Sequence, residues 1–188
     1  MDATDVATVL ARARQGDSDA FQALVERHSR RAFQLAYRIT GNEQDAEDVV
    51  QESFIRAYRQ LGRFEARAHF STWLHRIVAN CSVDLIRARR ARFDHTSTDQ
   101  LAPAEQPESS EPNPERLALS AQIERQVRSA MSALSPLERA AFALRHYEGR
   151  SIAEIGRTPG MGTSATKHSV FRAVRKLRAA LAPLRDNS

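Results

Sequence analysis

The chain has 188 residues, room for one medium or two small domains, and a formal net charge of +5 that suits a polyanionic partner. Hydrophobic residues make up 41%, enough for a core, but aromatics are only 6%, which favours small helical domains over a β-sandwich. Cys81 is the only cysteine, which excludes an internal disulfide and argues against a cysteine-based zinc site, and no apolar run reaches the ~18 residues of a membrane span.

The N-terminus carries Asp2 and Asp5 and lacks a basic stretch before an apolar one, so no signal peptide is expected. Residues 5–15 predict a first helix, broken at Gly16. Asp17 or Ser18 can cap the next, which runs to about Thr40 with Ala20, Phe21, Leu24, Val25, Phe33, Ala36, Tyr37 and Ile39 as its inward stripe. Gly41-Asn42 signals a turn. A third helix is predicted over 43–61, with Ala46, Val49, Val50, Phe54, Ala57 and Leu61 inward. Asp45, Asp48 and Glu52 share another of its faces. Residues 61–70 show no period and are expected to be irregular. Ser71 or Thr72 can cap a fourth helix to about Arg90, with Trp73, Leu74, Ile77, Val78, Cys81, Leu85 and Ile86 apolar and a basic run at its end.

Composition then shifts. Residues 93–115 hold four prolines and six acids, with no Lys or Arg, and have too little apolar content to fold alone. They divide the chain into 1–92, a linker 93–115, and 116–188. The second part opens with a helix to about Ala133. Ser135-Pro136-Leu137-Glu138 follows, a cap, a proline at the first helical position and a Glu three residues after the cap. Ser151 and Glu154 repeat the cap pattern before a short helix predicted over 152–158.

After the turn 159–162, residues 163–181 separate into two faces at ~100° per residue. Thr166, Val170, Ala173, Val174, Leu177 and Leu181 lie on one. Lys167, His168, Phe171, Arg172, Arg175 and Arg178 lie on the other, with Ser164 near its start. Short helix, tight turn and basic helix make a helix-turn-helix pattern, in which the second helix enters the DNA major groove. A solvated basic face is the plainer alternative. The fold class expected is therefore all-α: two small helical domains joined by a flexible acidic linker, the second containing a helix-turn-helix.

The run Asp45-Ala46-Glu47-Asp48-Val49-Val50-Gln51-Glu52-Ser53-Phe54, then Phe70-Ser71-Thr72-Trp73-Leu74-His75-Arg76-Ile77, then Leu134-Ser135-Pro136-Leu137-Glu138-Arg139 and 167–177, in this order and spacing, closely resembles the extracytoplasmic-function (group 4) sigma factors of bacterial RNA polymerase. The resemblance spans roughly 17–181 and implies a transcription initiation factor. Such a factor binds core polymerase (through a coiled coil of its largest subunit and the flap), recognises −35 and −10 elements and melts DNA, with no catalytic residue, no metal and no cofactor. It implies a docking role for Asp45, Asp48, Gln51 and Glu52, whose acceptors a basic helical surface could meet; a solvated acidic first turn is the alternative. It implies −10 roles for Phe64, Arg67, His69 and Phe70 in a pocket-forming loop, and for Arg76, Asn80, Asp84 and Arg87 along the next helix, since capturing unstacked bases needs stacking surfaces, polar groups and positive charge. Asn80 is the expected base selector or else a capping residue; Trp73 is a wedge at the fork or a core residue. At −35 it implies DNA contacts from Ser164, from Lys167, His168, Phe171 and Arg172 toward base edges, and from Arg175, Lys176 and Arg178 toward phosphates.

Some positions depart from the family pattern. Pro159 stands where a leucine is common, Ser164-Ala165-Thr166 replaces a frequent Gly-Thr-Val, and His168-Ser169 a frequent Ser-Arg. Pro159 cannot donate a backbone bond and is expected to shorten the first helix of the motif. The acidic linker is expected either to lie in a basic polymerase channel or to serve as a spacer. An anti-sigma partner is implied, as is a cytoplasmic location with no membrane insertion, where that partner can hold the protein at the membrane. Two other classes compete. One is a stand-alone helix-turn-helix regulator with an N-terminal interaction domain. The other is a nucleic-acid enzyme using Asp45, Asp48 and Glu52 on a hard cation, against which no further ligand pattern converges.

Overall fold

The computed structural model describes residues 3–64, 69–95, 114–158 and 161–186. Among them the chain forms only helices: α1 (Ala3–Arg14), α2 (Ser18–Thr40), α3 (Glu43–Gln60), a 3-10 turn (Leu61–Arg63), α4 (Phe70–His95), α5 (Pro114–Ser132), α6 (Pro136–His146), α7 (Ile152–Gly156) and α8 (Thr163–Asp186).

The boundaries have local causes. Asp17, rather than Ser18, caps α2: its carboxylate accepts from the Ala20 amide at 3.0 Å. Gly41 ends α2 at φ 88°, a left-handed conformation in which its N–H reaches the Tyr37 carbonyl. Asn42 caps α3 through the Asp45 amide at 2.7 Å. The start of α4 differs from expectation. Ser71 and Thr72 lie inside the helix, and the His69 carbonyl accepts its first bonds, from the Thr72 and Trp73 amides. That helix continues past Arg90 to His95, and α5 begins at Pro114, so the ends of the predicted linker are helical; residues 96–113 lie outside the described residues.

The predicted inward stripes form the core. Leu24, Leu35, Ile39, Val49, Leu74 and Val78 are all but completely buried where α2, α3 and α4 meet. Each such side chain contributes ~1.5–3 kcal/mol on leaving water. In the second part, Ala130 of α5 and Leu134 just after it pack with Ala173 and Leu177 of α8. The two parts touch: Ala140, Ala143 and Leu144 of α6, with Ile155 and Met161, join the core of the first part.

Polar groups close the same boundary. Arg139 reaches across it and donates to the carbonyls of Ile39 at 2.9 Å and Thr40 at 3.3 Å. Glu148 lies 3.1 Å from His75 Nδ1 and 3.6 Å from Arg38, whose guanidinium covers the Tyr147 ring at 4.3 Å.

Candidate nucleic-acid interface

The helix-turn-helix is held by close backbone approach. A Cβ on Gly156 of α7 would stand 2.7 Å from the Thr163 Cα, so α7 seats directly on the first residue of α8. Ser151 and Glu154 form the expected capping box on α7. The helix ends at Gly156, before the expected Thr158; the chain then turns through amide bonds from Arg157 and Thr158 back to Glu154 and Ile155. Pro159, expected to shorten this helix, lies outside the described residues. Met161 is buried in the turn, and the Gly162 carbonyl accepts from the Thr166 amide.

The division of α8 into two faces matches the sequence period. Thr166, Ala173 and Leu177 are buried, as is Ser169. Ser164, Lys167, His168, Phe171, Arg172, Arg175, Lys176 and Arg178 are all exposed. Phe171, a large apolar ring on the same face as these cations, leaves 66% of its surface open. His168 bonds the Ser164 carbonyl one turn back at 2.9 Å. Two cations are tied inward to Glu138 of α6: Lys176 Nζ at 2.7 Å and Arg172 Nε at 3.4 Å. Burial pushes the Glu138 carboxyl up, but Lys176 and the Ser135 amide outweigh it and hold it below the usual carboxylate range.

The α4 side is more closed than the expected pocket. Phe64 and Phe70 are buried, not open stacking surfaces, and Trp73 is half-buried beside them. The Phe64–Trp73 centroids are 5.1 Å apart and the Phe70–Trp73 centroids 5.6 Å. Three aromatic rings so close in sequence gain more by packing together than by facing water. His69 is exposed and Arg67 lies outside the described residues. Along α4, Arg76 and Asn80 are half-buried, while Asp84 and Arg87 are exposed. Asp84 pairs with Arg56 of α3 at 3.2 Å.

On α3 the four candidate docking residues separate. Asp45 accepts from Asn42 and pairs with Arg89 of α4. Glu52 pairs with Arg56 at 2.6 Å. Asp48 and Gln51 are exposed, with no side-chain partner among the described residues. Gln51 rims a feature the sequence stripe did not announce. An open apolar groove of about 900 Å³ runs between α2 and α3, lined by Phe21, Val25, Phe33, Val50, Phe54, Ile55 and Tyr58 among others. The usable signal was Ile55 and Tyr58, large apolar residues outside the buried stripe, which stand 39% and 50% exposed. Among the described residues no group of three His, Cys, Asp or Glu is arranged to hold a metal, and no helix is long and apolar enough to cross a membrane.

A helical core joined to a helix-turn-helix whose second helix is basic and exposed defines a helix-turn-helix DNA-binding protein. Residues 24–92 match the sigma-70 region 2 family and residues 124–177 match sigma-70 region 4. The chain is 36% identical to the ECF RNA polymerase sigma factor SigE of Mycolicibacterium smegmatis over 89% of its length, and spans 64% of that relative. It is 30% identical to the ECF sigma factor SigW of Bacillus subtilis, over 91% of this chain and 94% of SigW. The solved structure of CnrH in complex with the cytosolic domain of CnrY matches with a TM-score of 0.62 and 30% identity, covering 94% of this chain and 96% of CnrH. The chain belongs to the extracytoplasmic-function sigma factors of the sigma-70 family. It is an alternative sigma factor that directs RNA polymerase to promoters, and such factors perform no covalent chemistry of their own.

Proposed function

We propose that this sigma factor divides its work among three surfaces. The first is the α3 edge carrying Asp48 and Gln51, with the adjoining groove, which docks on core polymerase. An exposed carboxylate and amide beside an apolar trough suit a helical partner that brings both cations and apolar side chains. Asp45 and Glu52, already paired to Arg89 and Arg56, orient that edge and contribute less to it. The second surface is α4 with the segment before it, where His69, Arg76, Asn80, Asp84 and Arg87 meet the −10 region. Phe64 and Phe70 support it from beneath, and Trp73, at its half-buried edge, is the ring best placed to meet an unstacked base.

The third surface is α8, the −35 reader, and the observation that carries the proposal lies there: a 66%-exposed Phe171 set among Lys167, His168 and Arg175. An apolar ring costs free energy in water unless a partner covers it. A thymine methyl in a major groove whose phosphates face the flanking cations satisfies both requirements. The protein acts in the cytoplasm, and an anti-sigma partner masks the groove and α8 until a signal releases it. CnrH, whose structure is of its complex with the cytosolic domain of CnrY, supports that reading by similarity.

Run-off transcription with holoenzyme reconstituted from this chain and core polymerase, on genomic fragments, tests the proposal. Discrete transcripts preceded by shared −35 and −10 sequences are expected. Failure to bind core polymerase, or transcription indifferent to the −35 sequence, would sink it.

A further inference from the structure

The cations on the exposed side of α8 are not equivalent. Lys167, Arg175 and Arg178 have no acidic partner among the described residues. Arg172 and Lys176, one turn apart, share the carboxylate of Glu138, a side chain only 5% exposed beneath the helix. Its Oε2 accepts from Lys176 Nζ at 2.7 Å and from the Ser135 amide at 2.9 Å, while Oε1 lies 3.4 Å from Arg172 Nε.

This arrangement has two consequences. A phosphate brought to Lys176 would sit close to a nearly buried negative charge already engaging that ammonium, so Lys176 gains little by contacting DNA. Arg172 is different. Its Nε is the guanidinium atom that pairs with the carboxylate, at 3.4 Å, and the outer pair of guanidinium nitrogens has no acidic partner among the described residues. That outer edge is the two-donor fork that pairs with guanine O6 and N7. A long side chain on an exposed helix face would otherwise sample many rotamers, and an ion pair at Nε narrows them before DNA arrives.

We infer that Glu138 is a positioning residue for promoter reading: it aims Arg172 at a base edge and holds Lys176 as a strut between α6 and α8 rather than as a phosphate contact. The inference rests on α8 being the −35 reader.

The test uses holoenzyme on a promoter found by run-off transcription, with duplexes substituted through the −35 element and binding measured over a salt series. Gln at position 138 can still accept from the Ser135 amide, so the capping geometry is kept and only the charge is lost. For E138Q, discrimination at one −35 base pair falls from about tenfold or more to under about threefold. The slope of log K against log salt steepens by about 0.9 as Lys176 is freed for a phosphate. K176M keeps the wild-type slope, whereas R175A loses about 0.9 of it. An E138Q base profile and slope equal to wild type would overturn the inference, as would a K176M slope reduced like that of R175A. If E138Q does not fold, the K176M and R175A slopes decide alone. If K167A and R175A both leave binding unchanged, α8 is not the reader and both conclusions fall; if they weaken binding while E138Q changes nothing, only the role of Glu138 falls.

Discussion

The ring of His28 lies 5.1 Å from that of Phe70, and its Nε2 is buried without a hydrogen-bond partner among the described residues. Burial first, then Arg27, His75 and Arg31, lower its pKa from 6.5 to about 4. The unfolded chain takes up a proton near 6.5 while the folded chain resists until about 4. Stability from this group is therefore complete above pH 6.5 and is lost as the pH falls toward 4. Between pH 6.5 and 5 the loss is about 1–2 kcal/mol after allowing for the partial exposure of the ring. Glu148, its carboxyl held low chiefly by the imidazole of His75 3.1 Å away against the effect of burial, adds an acid-side loss only below its ordinary value of 4.5. Urea titrations at pH 7, 6 and 5 separate the two. His28→Phe should abolish most of the fall from pH 6.5 to 5; an unchanged slope would assign it elsewhere. At the same scale, Asp48→Arg should leave the melting temperature within about a degree, because the carboxylate is exposed and unpaired among the described residues. Core affinity should drop by about tenfold or more in a pull-down or fluorescence titration. Wild-type core affinity in this variant would remove Asp48 from the docking edge.

Among the elements, α7 and α8 carry the tightest constraint. Alanine at 156 would raise helix propensity by about 1 kcal/mol in a free helix. Here its methyl would stand 2.7 Å from one backbone atom of Thr163 and 3.0 Å from another, neither of which can swing away. The steric term wins, and Gly156→Ala should destabilise by about 1–3 kcal/mol and push α8 off α7. Transcription from a −35-dependent promoter should fall while core binding persists. A variant as stable and active as wild type would show that the two helices are not locked. Much of this element scale was legible beforehand, because caps and stripes are local: Ser135 with Glu138, Ser151 with Glu154, and the two faces of α8 stand where their spacing puts them. The close approach at Gly156 was not legible, since a small residue in a short helix says nothing of what lies opposite. Nor was the burial of Phe64 and Phe70, where an aperiodic segment conceals that its rings find one another. The inward stripe of α2 was read as core, yet Phe21, Val25 and Phe33 line the open groove, because helical period identifies an apolar face without saying whether anything covers it.

For the molecule as a whole, the contact between the two parts conflicts with the proposed reading of −35 by α8 and −10 by α4. Elements at −35 and −10 lie about 25 base pairs apart, or ~85 Å along the duplex. A compact chain of 188 residues has a radius of gyration of about 16 Å and is about 40 Å across. The 18 residues from 96 to 113 can extend to at most ~60–65 Å, enough to separate the parts, but the α6 contacts must break first. Arg139 is the polar tie of that contact that reaches backbone carbonyls. It is 7% exposed and has no carboxylate partner among the described residues; its guanidinium sits against the carbonyls that end α2, the negative end of that helix dipole. Removing it deletes charge-assisted bonds of about 1–3 kcal/mol and leaves only carbonyls that water can reach on opening, so Arg139→Ala should favour the open form by about tenfold. Cys81 is buried, so dyes can be placed on cysteines substituted for Gln15, exposed and away from the groove, and Ala180, also exposed. Energy transfer should be high in the free wild-type chain, lower in the free Arg139→Ala chain, and low for both in holoenzyme on promoter DNA. High transfer persisting in that complex would mean that the two parts never separate, and that the distance between the two promoter elements is bridged by the polymerase or by bent DNA instead.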